Sequence, residues 1–293
     1  MPGSSRSNDN GRSLEYFVTL ALSTVGGCKL TSRTVEFQVR DKRTSAGINP
    51  SLKSAFDKAS KIIRPWIISE IRLTSGQRFV VDRHADSDPG VADITVSQGS
   101  QTLAVSIKHN HDALSHSRPY SLADAMGLAG TSFESDHRDR LDIATNSFRN
   151  AAGGASTFPS VPAAKLILYR DVCRECAKTV NRAGNRKVAV STLFEFLVGR
   201  EFKKVIVKTH PSSGSLIAVS VDDYSKWKSP SSVVASVNNR PRSSSLVLAF
   251  DNGWVIDLRI KNASTTIQPT GQVSLKFDAQ KAAGTLPPLL KLF

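Results

Sequence analysis

A carboxylate and an ammonium are set to meet in the segment running from Gly90-Val91-Ala92-Asp93-Ile94 to Ser106-Ile107-Lys108. Residues 91–96 read as a strand, Ser97-Gln98-Gly99-Ser100 is turn chemistry, and residues 102–108 read as a second strand. The turn falls between Asp93 and Lys108, so antiparallel pairing brings both to one open end of a β-hairpin. Ser106 and Lys108 are two apart and share a face, while Val105 and Ile107 point to the opposite face and the core.

Phosphodiester hydrolysis uses such an arrangement. A carboxylate holds a divalent metal that polarises the phosphoryl oxygen and lowers the pKa of bound water. A nearby lysine orients that water or offsets charge developing in the transition state. A hard-oxygen site with few protein ligands suits Mg²⁺. The plainer alternative is a cross-strand Asp–Lys pair worth only ~0.2–1 kcal/mol.

Two features favour chemistry over a plain ion pair. The chain has 39 Lys plus Arg against 25 Asp plus Glu, a net charge of +14, which attracts polyanions, nucleic acid first among them. Directly after the strand, His109-Asn110-His111-Asp112 forms a dense polar run, with His116, Arg118 and Tyr120 close behind. Such a run is poor core material and good phosphate-contacting material.

Gly90-Val91-Ala92-Asp93, a hairpin and then Ser106-Ile107-Lys108 resembles the signature of PD-(D/E)XK nucleases. The longer run from Ser106 through Ala113-Leu114, followed by His116-Ser117-Arg118-Pro119, is similar to restriction endonucleases of the HaeIII/NgoPII type. Arg259-Ile260-Lys261-Asn262-Ala263-Ser264 and Ser274-Leu275-Lys276-Phe277-Asp278 add to the likeness, which spans residue 14 to the end and is sharpest over residues 90–120. The resemblance implies a type II restriction endonuclease: a homodimer that cuts duplex DNA at a short palindrome, GGCC for this group, alongside a cognate methyltransferase. It implies Asp93, Ser106 and Lys108 as the catalytic residues and Asp93 as metal ligand. The sequence departs from the pattern at Ser106, where a second acidic ligand is expected. Glu70, at the end of a helical stretch, is the first candidate to replace it. Asp112 is the second, and Asp82, Asp86 and Asp88 read as loop acids.

The elements that must position these residues form a mixed α/β protein. Residues 1–12 read as a disordered start. Ser13 caps a helix over 14–24 that ends at Gly26-Gly27, and Asn49-Pro50-Ser51 opens a second helical stretch that Pro65 kinks or restarts before 66–71. Residues 77–81 read as a strand. Beyond the hairpin, residues 136–152, 163–182 and 190–198 read as helices. Strands follow at 204–208, 216–221, 246–250, 254–260 and 274–278, with Asp251-Asn252-Gly253 as a hairpin turn. The expected fold is a nuclease core over 13–200, a mixed central sheet flanked by helices, with a β-rich region over 201–293 packed on it and contributing to DNA binding.

The remaining motifs carry less. Cys173-Arg174-Glu175-Cys176 is a single CxxC without a second ligand pair, so buried free thiols are favoured over zinc. His109 and His111 could bind a transition metal or exchange protons, but hydrogen bonding at the strand end or phosphate contact is favoured. For DNA binding the candidates are His109, Asn110, His111, Arg118 and the loop Asn238-Asn239-Arg240-Pro241-Arg242, with Arg240 and Arg242 as its cations. No apolar run approaches the ~20 residues of a membrane span. Three cysteines suggest no disulfide framework, and the expected compartment is the cytoplasm. A PD-(D/E)XK nuclease of repair or resolvase type and a non-catalytic basic DNA-binding protein are the rival readings.

Overall fold

The computed structural model describes residues 6–74, 76–85, 92–110, 114, 117–199, 202–224, 228–282 and 289–293. His111, Asp112, His116, Asp86 and Asp88 fall outside the described residues. The chain divides into two compact units, each built from separated segments: residues 1–112, 200–226 and 287–293 form the first, and residues 113–199 and 227–286 the second. This division differs from the cut expected at residue 200. The first two strands after that point, residues 202–209 and 216–223, extend the sheet begun before residue 112, through a pairing that spans many residues of sequence.

The first unit holds helices α1 (Arg6–Ser23), α2 (Ser32–Ala46) and α3 (Pro50–Glu70) and strands β1 (Cys28–Leu30), β2 (Phe79–Arg83), β3 (Ile94–Gln98), β4 (Gln101–His109), β5 (Phe202–Thr209), β6 (Leu216–Asp223) and β11 (Leu289–Lys291). Helix α1 starts within the segment read as disordered. The seven strands make one sheet in the order β1-β2-β3-β4-β5-β6-β11. It is mixed: β1/β2 and β4/β5 are parallel and the other pairs antiparallel.

Local chemistry explains the ends of these elements. Asn49 caps α3 by accepting from Ser51 N at 2.8 Å, and Pro50 takes the first turn, where no N–H is needed. Helix α3 runs on through Pro65 to Glu70 rather than restarting. Thr31 caps α2 through Thr34 N. Gly99, with φ of +57°, supplies the left-handed turn between β3 and β4. Leu14, Val18 and Leu22 of α1 and Phe56, Ile63 and Ile67 of α3 pack with Val81, Ile94, Val105, Ile107 and Val205 of the sheet. Each such buried side chain contributes ~1.5–3 kcal/mol, so this core fixes the register of β3 and β4.

The second unit holds α4 (Leu122–Ala125), α5 (Ser132–Ala152), α6 (Pro162–Ala183) and α7 (Lys187–Val198), with strands β7 (Val233–Arg240), β8 (Ser243–Phe250), β9 (Val255–Asn262) and β10 (Leu275–Lys281). These strands form an antiparallel sheet in the order β10-β9-β8-β7. Leu246, Leu248, Ile256, Leu258, Ile260 and Phe277 are buried on one face. Helix α6 joins the sheet through Asn181, which bonds both the N and the O of Ala235, and through Tyr169 Oη, 3.0 Å from Asn262 Oδ1. Among the described residues no helix is long and apolar enough to cross a membrane.

Candidate active site

Asp93 stands where β3 begins. Its backbone N donates to Val105 O at 2.9 Å and its O accepts from His84 N at 3.0 Å, so its main chain is held between β2 and β4. Its side chain is gripped by three consecutive residues of β4. Oδ2 accepts from Ser106 Oγ at 3.1 Å, from Ile107 N at 2.5 Å and from Lys108 Nζ at 3.1 Å, while Oδ1 lies 3.4 Å from Lys108 Nζ. The hairpin therefore joins Asp93, Ser106 and Lys108. The Asp93 and Lys108 side chains are 20% and 26% exposed, shielded enough to strengthen their fields and open enough to meet a substrate.

A second carboxylate, Glu15, lies within the field of this centre. Burial first, and the negative charge of Asp93 second, raise the Glu15 carboxyl of α1 to about 7, against the downward pull of Arg83 and Lys108. Glu15 Oε2 lies 2.5 Å from Arg83 Nη2, and the same Nη2 lies 2.9 Å from Asp41 Oδ2 of α2. Arg83 and Asp41 are buried, with side-chain exposures of 1% and 0%. Arg83 pairs in register with Ile94, the residue after Asp93. A buried guanidinium beside the hairpin thus anchors a carboxylate within the electrostatic reach of Asp93 and Lys108. The available signal was a lone acid in the apolar run Leu14-Glu15-Tyr16-Phe17-Val18.

Glu70 is engaged elsewhere. One oxygen accepts from Trp66 Nε1 at 3.2 Å and the other pairs with Lys203, which also lies 3.6 Å from Asp223. Asp82 accepts from Thr31 and Arg33, and these bonds outweigh its burial and hold its carboxyl below the ordinary range.

His109 and Asn110 close the strand end. His109 Nε2 lies 2.8 Å from Thr209 Oγ1, and its ring meets Phe56 edge-on with centroids 5.0 Å apart. Asn110, at φ +61°, accepts from Thr209 N at 2.7 Å and donates to Thr209 Oγ1 at 3.1 Å. Both side chains tie β4 to β5. Arg118 and Arg242 are exposed, and Arg240 stands 3.6 Å from Asp257. Cys173 and Cys176 are buried free thiols on α6; burial pushes Cys173 up to about 12 and Cys176 well above its ordinary value, so neither is a ready thiolate.

Among the described residues no three of His, Cys, Asp and Glu gather as a ready-made metal cage. The donors present still fit one hard cation. Among the described residues Asp93 Oδ1 has only the long Lys108 bond, and the charge of Asp93 acts on Glu15, a second carboxylate. A cation that keeps several waters and takes phosphate oxygens needs no more than one or two carboxylates.

A family model described as HaeIII restriction endonuclease matches residues 78–284. Comparison with curated proteins finds no match. Among solved structures, restriction endonuclease MspI in complex with its cognate DNA is 8% identical, with 82% of this chain and 83% of that chain covered and a TM-score of 0.31.

Proposed function

This chain belongs to the HaeIII restriction endonuclease family, and we propose that it is a type II enzyme that hydrolyses duplex DNA at the short palindrome GGCC with Mg²⁺. The observation that carries the reading is the grip of Ser106, Ile107 and Lys108 on Asp93, since a lysine and a carboxylate share one end of a rigid hairpin. The GGCC site comes from the family alone.

Asp93 and Glu15 would hold the cation. When bound, a divalent cation offsets charge on the phosphoryl oxygen and supplies an acidified water. The chain's own residues do the rest. Ile107 N–H and Ser106 Oγ–H fix the rotamer of Asp93, so Ser106 acts as a positioning residue where a carboxylate is expected. Lys108 Nζ, held against Asp93, orients the attacking water and stabilises charge on the transferring group. Arg83 fixes Glu15 and offsets its charge in the absence of metal. The catalytic role belongs to the first unit, and the second unit, with Arg240 and Arg242, contributes to DNA binding. A homodimer matches the two-fold symmetry of a palindrome. A cognate methyltransferase that protects host DNA and a cytoplasmic location complete the reading.

Digestion of plasmid DNA by purified protein tests it. With Mg²⁺ the reading requires discrete fragments whose sequenced ends all lie at GGCC. Fragments with mixed ends overturn the GGCC assignment, and intact plasmid overturns the nuclease reading.

A further inference from the structure

The buried face of the β7–β10 sheet is apolar. Its opposite face is a grid of charges and hydrogen-bonding groups. One row runs Asn238, Ser245, Arg259, Asp278 across all four strands. The row beside it runs Ser236, Val247, Asp257, Gln280. On the other side, Arg240 pairs with Ser243, and Lys261 pairs with Lys276. Arg240, Arg259, Lys261 and Lys276 therefore outnumber Asp257 and Asp278 among the described residues of these rows.

On a solvated sheet face, opposite charges across neighbouring strands stabilise and like charges directly opposite destabilise. This face differs in two ways. Its cations collect toward the end where β7 turns into β8 at Pro241-Arg242, and Arg242 extends the same end. Among the described residues Arg259 Nε and Asp257 Oδ1 are buried with no hydrogen-bond partner, which leaves both side chains under-satisfied on this face. The existing ion pairs leave the donors only partly used. Asp278 serves both Arg259, at 3.2 Å, and Lys261, and Arg240 Nη2 stands 3.6 Å from Asp257. The side chains remain accessible, with Arg240 56%, Arg259 43% and Lys261 41% exposed. Beyond Asn238 and Ser245 the β7–β8 hairpin continues without β9 as a short two-stranded tip, residues 239–244, and a two-stranded ribbon is an element the major groove admits.

We propose that this face is the DNA-reading surface of the second unit, a specificity-determining site for duplex DNA. Lys261 and Lys276 contact phosphates. Arg240, steadied by Asp257, presents its guanidinium from the hairpin end to a guanine edge. The inference deepens the nuclease reading and rests on it for the identity of the polyanion, while its test uses binding without cleavage.

The test measures affinity of the full-length protein for a short labelled duplex containing GGCC, without metal, across a range of salt concentrations. The variants are Lys261→Gln with Lys276→Gln, and separately Arg240→Ala; a melting curve checks that each is folded. The double variant lowers the slope of log affinity against log salt by about 2, from ~0.9 per lost phosphate contact. Arg240→Ala reduces the preference for GGCC over a scrambled duplex by roughly 5- to 100-fold. A double variant with wild-type affinity and slope overturns the surface, as does undiminished preference in Arg240→Ala. Plasmid digestion by wild-type protein separates the two readings. Weakened binding of the double variant with no cleavage by the wild type keeps the surface and removes the nuclease. Cleavage by the wild type with unchanged binding by both variants does the reverse.

Discussion

Lys108 Nζ lies 3.1 Å from Asp93 Oδ2, with both side chains partly open to solvent. An ion pair this exposed contributes at most ~1 kcal/mol to stability. Lys108→Met is therefore expected to melt close to the wild type while cleaving at least ~100-fold more slowly, the usual cost of removing a transition-state donor. Single-turnover cleavage and thermal unfolding on the same preparation check this. A rate within a few-fold of wild type would make the pair structural.

Glu15 and Glu70 compete for the part of the second metal carboxylate. The charge of Asp93 acts on Glu15, while Glu70 is paired with Lys203 and bonded to Trp66. Glu15→Gln is expected to raise the Mg²⁺ concentration for half-maximal cleavage by roughly 10- to 100-fold, the scale of lost support at a metal site. Glu70→Gln is expected to leave it unchanged. The reverse order would return the role to Glu70.

Arg83 is buried between two carboxylates, 2.5 Å from Glu15 and 2.9 Å from Asp41. Removing the guanidinium leaves Glu15 without its buried counter-charge and Asp41 with Arg40, 2.6 Å away. Arg83→Met is expected to lose about 3–5 kcal/mol in urea unfolding, the cost of breaking a buried ion cluster from one side. A loss below ~1 kcal/mol would show that Glu15 and Asp41 find other partners.

His137 ties α5 to two neighbours in the second unit. Nε2 lies 2.8 Å from Pro119 O and Nδ1 2.9 Å from Thr179 Oγ1. Burial is the main cause that holds its pKa below the ordinary 6.5. Below pH 6.5 the unfolded chain binds a proton there that the folded chain refuses, so stability falls as pH drops through that value. Urea midpoints at about pH 5.5 and 7.5 are expected to differ more in the wild type than in His137→Gln. Equal differences would remove His137 from the acid sensitivity.

Legibility in the sequence followed the range of the interactions. The β3–β4 hairpin was readable because alternation, Gly99 and the spacing of Asp93 from Lys108 are local. The same holds for the cap at Asn49-Pro50 and the turn at Asp251-Asn252-Gly253. Helix α2 was not, because Val35 and Val39 lie on its exposed side and leave no apolar stripe to detect. The parallel pairing of β4 with β5 could not be read, since it joins residues on either side of a long intervening segment, and the expected domain cut followed from missing it. Glu15 was hidden for the same reason: its partner Arg83 is remote in sequence. For His109 and Asn110 the sequence left hydrogen bonding at the strand end and phosphate contact both open, and both side chains bond Thr209. At a strand end, closing the sheet and touching a ligand call for the same residue types.

Cleavage by Asp93→Asn tests the central claim most directly. Asparagine keeps the size and an acceptor for Ser106 and Ile107 but removes the charge that would hold a cation. In Mg²⁺ the wild type is predicted to cut GGCC-containing DNA into discrete fragments, and folded Asp93→Asn to leave the same DNA intact under identical conditions. Asp93→Asn cutting as fast as the wild type would contradict the account.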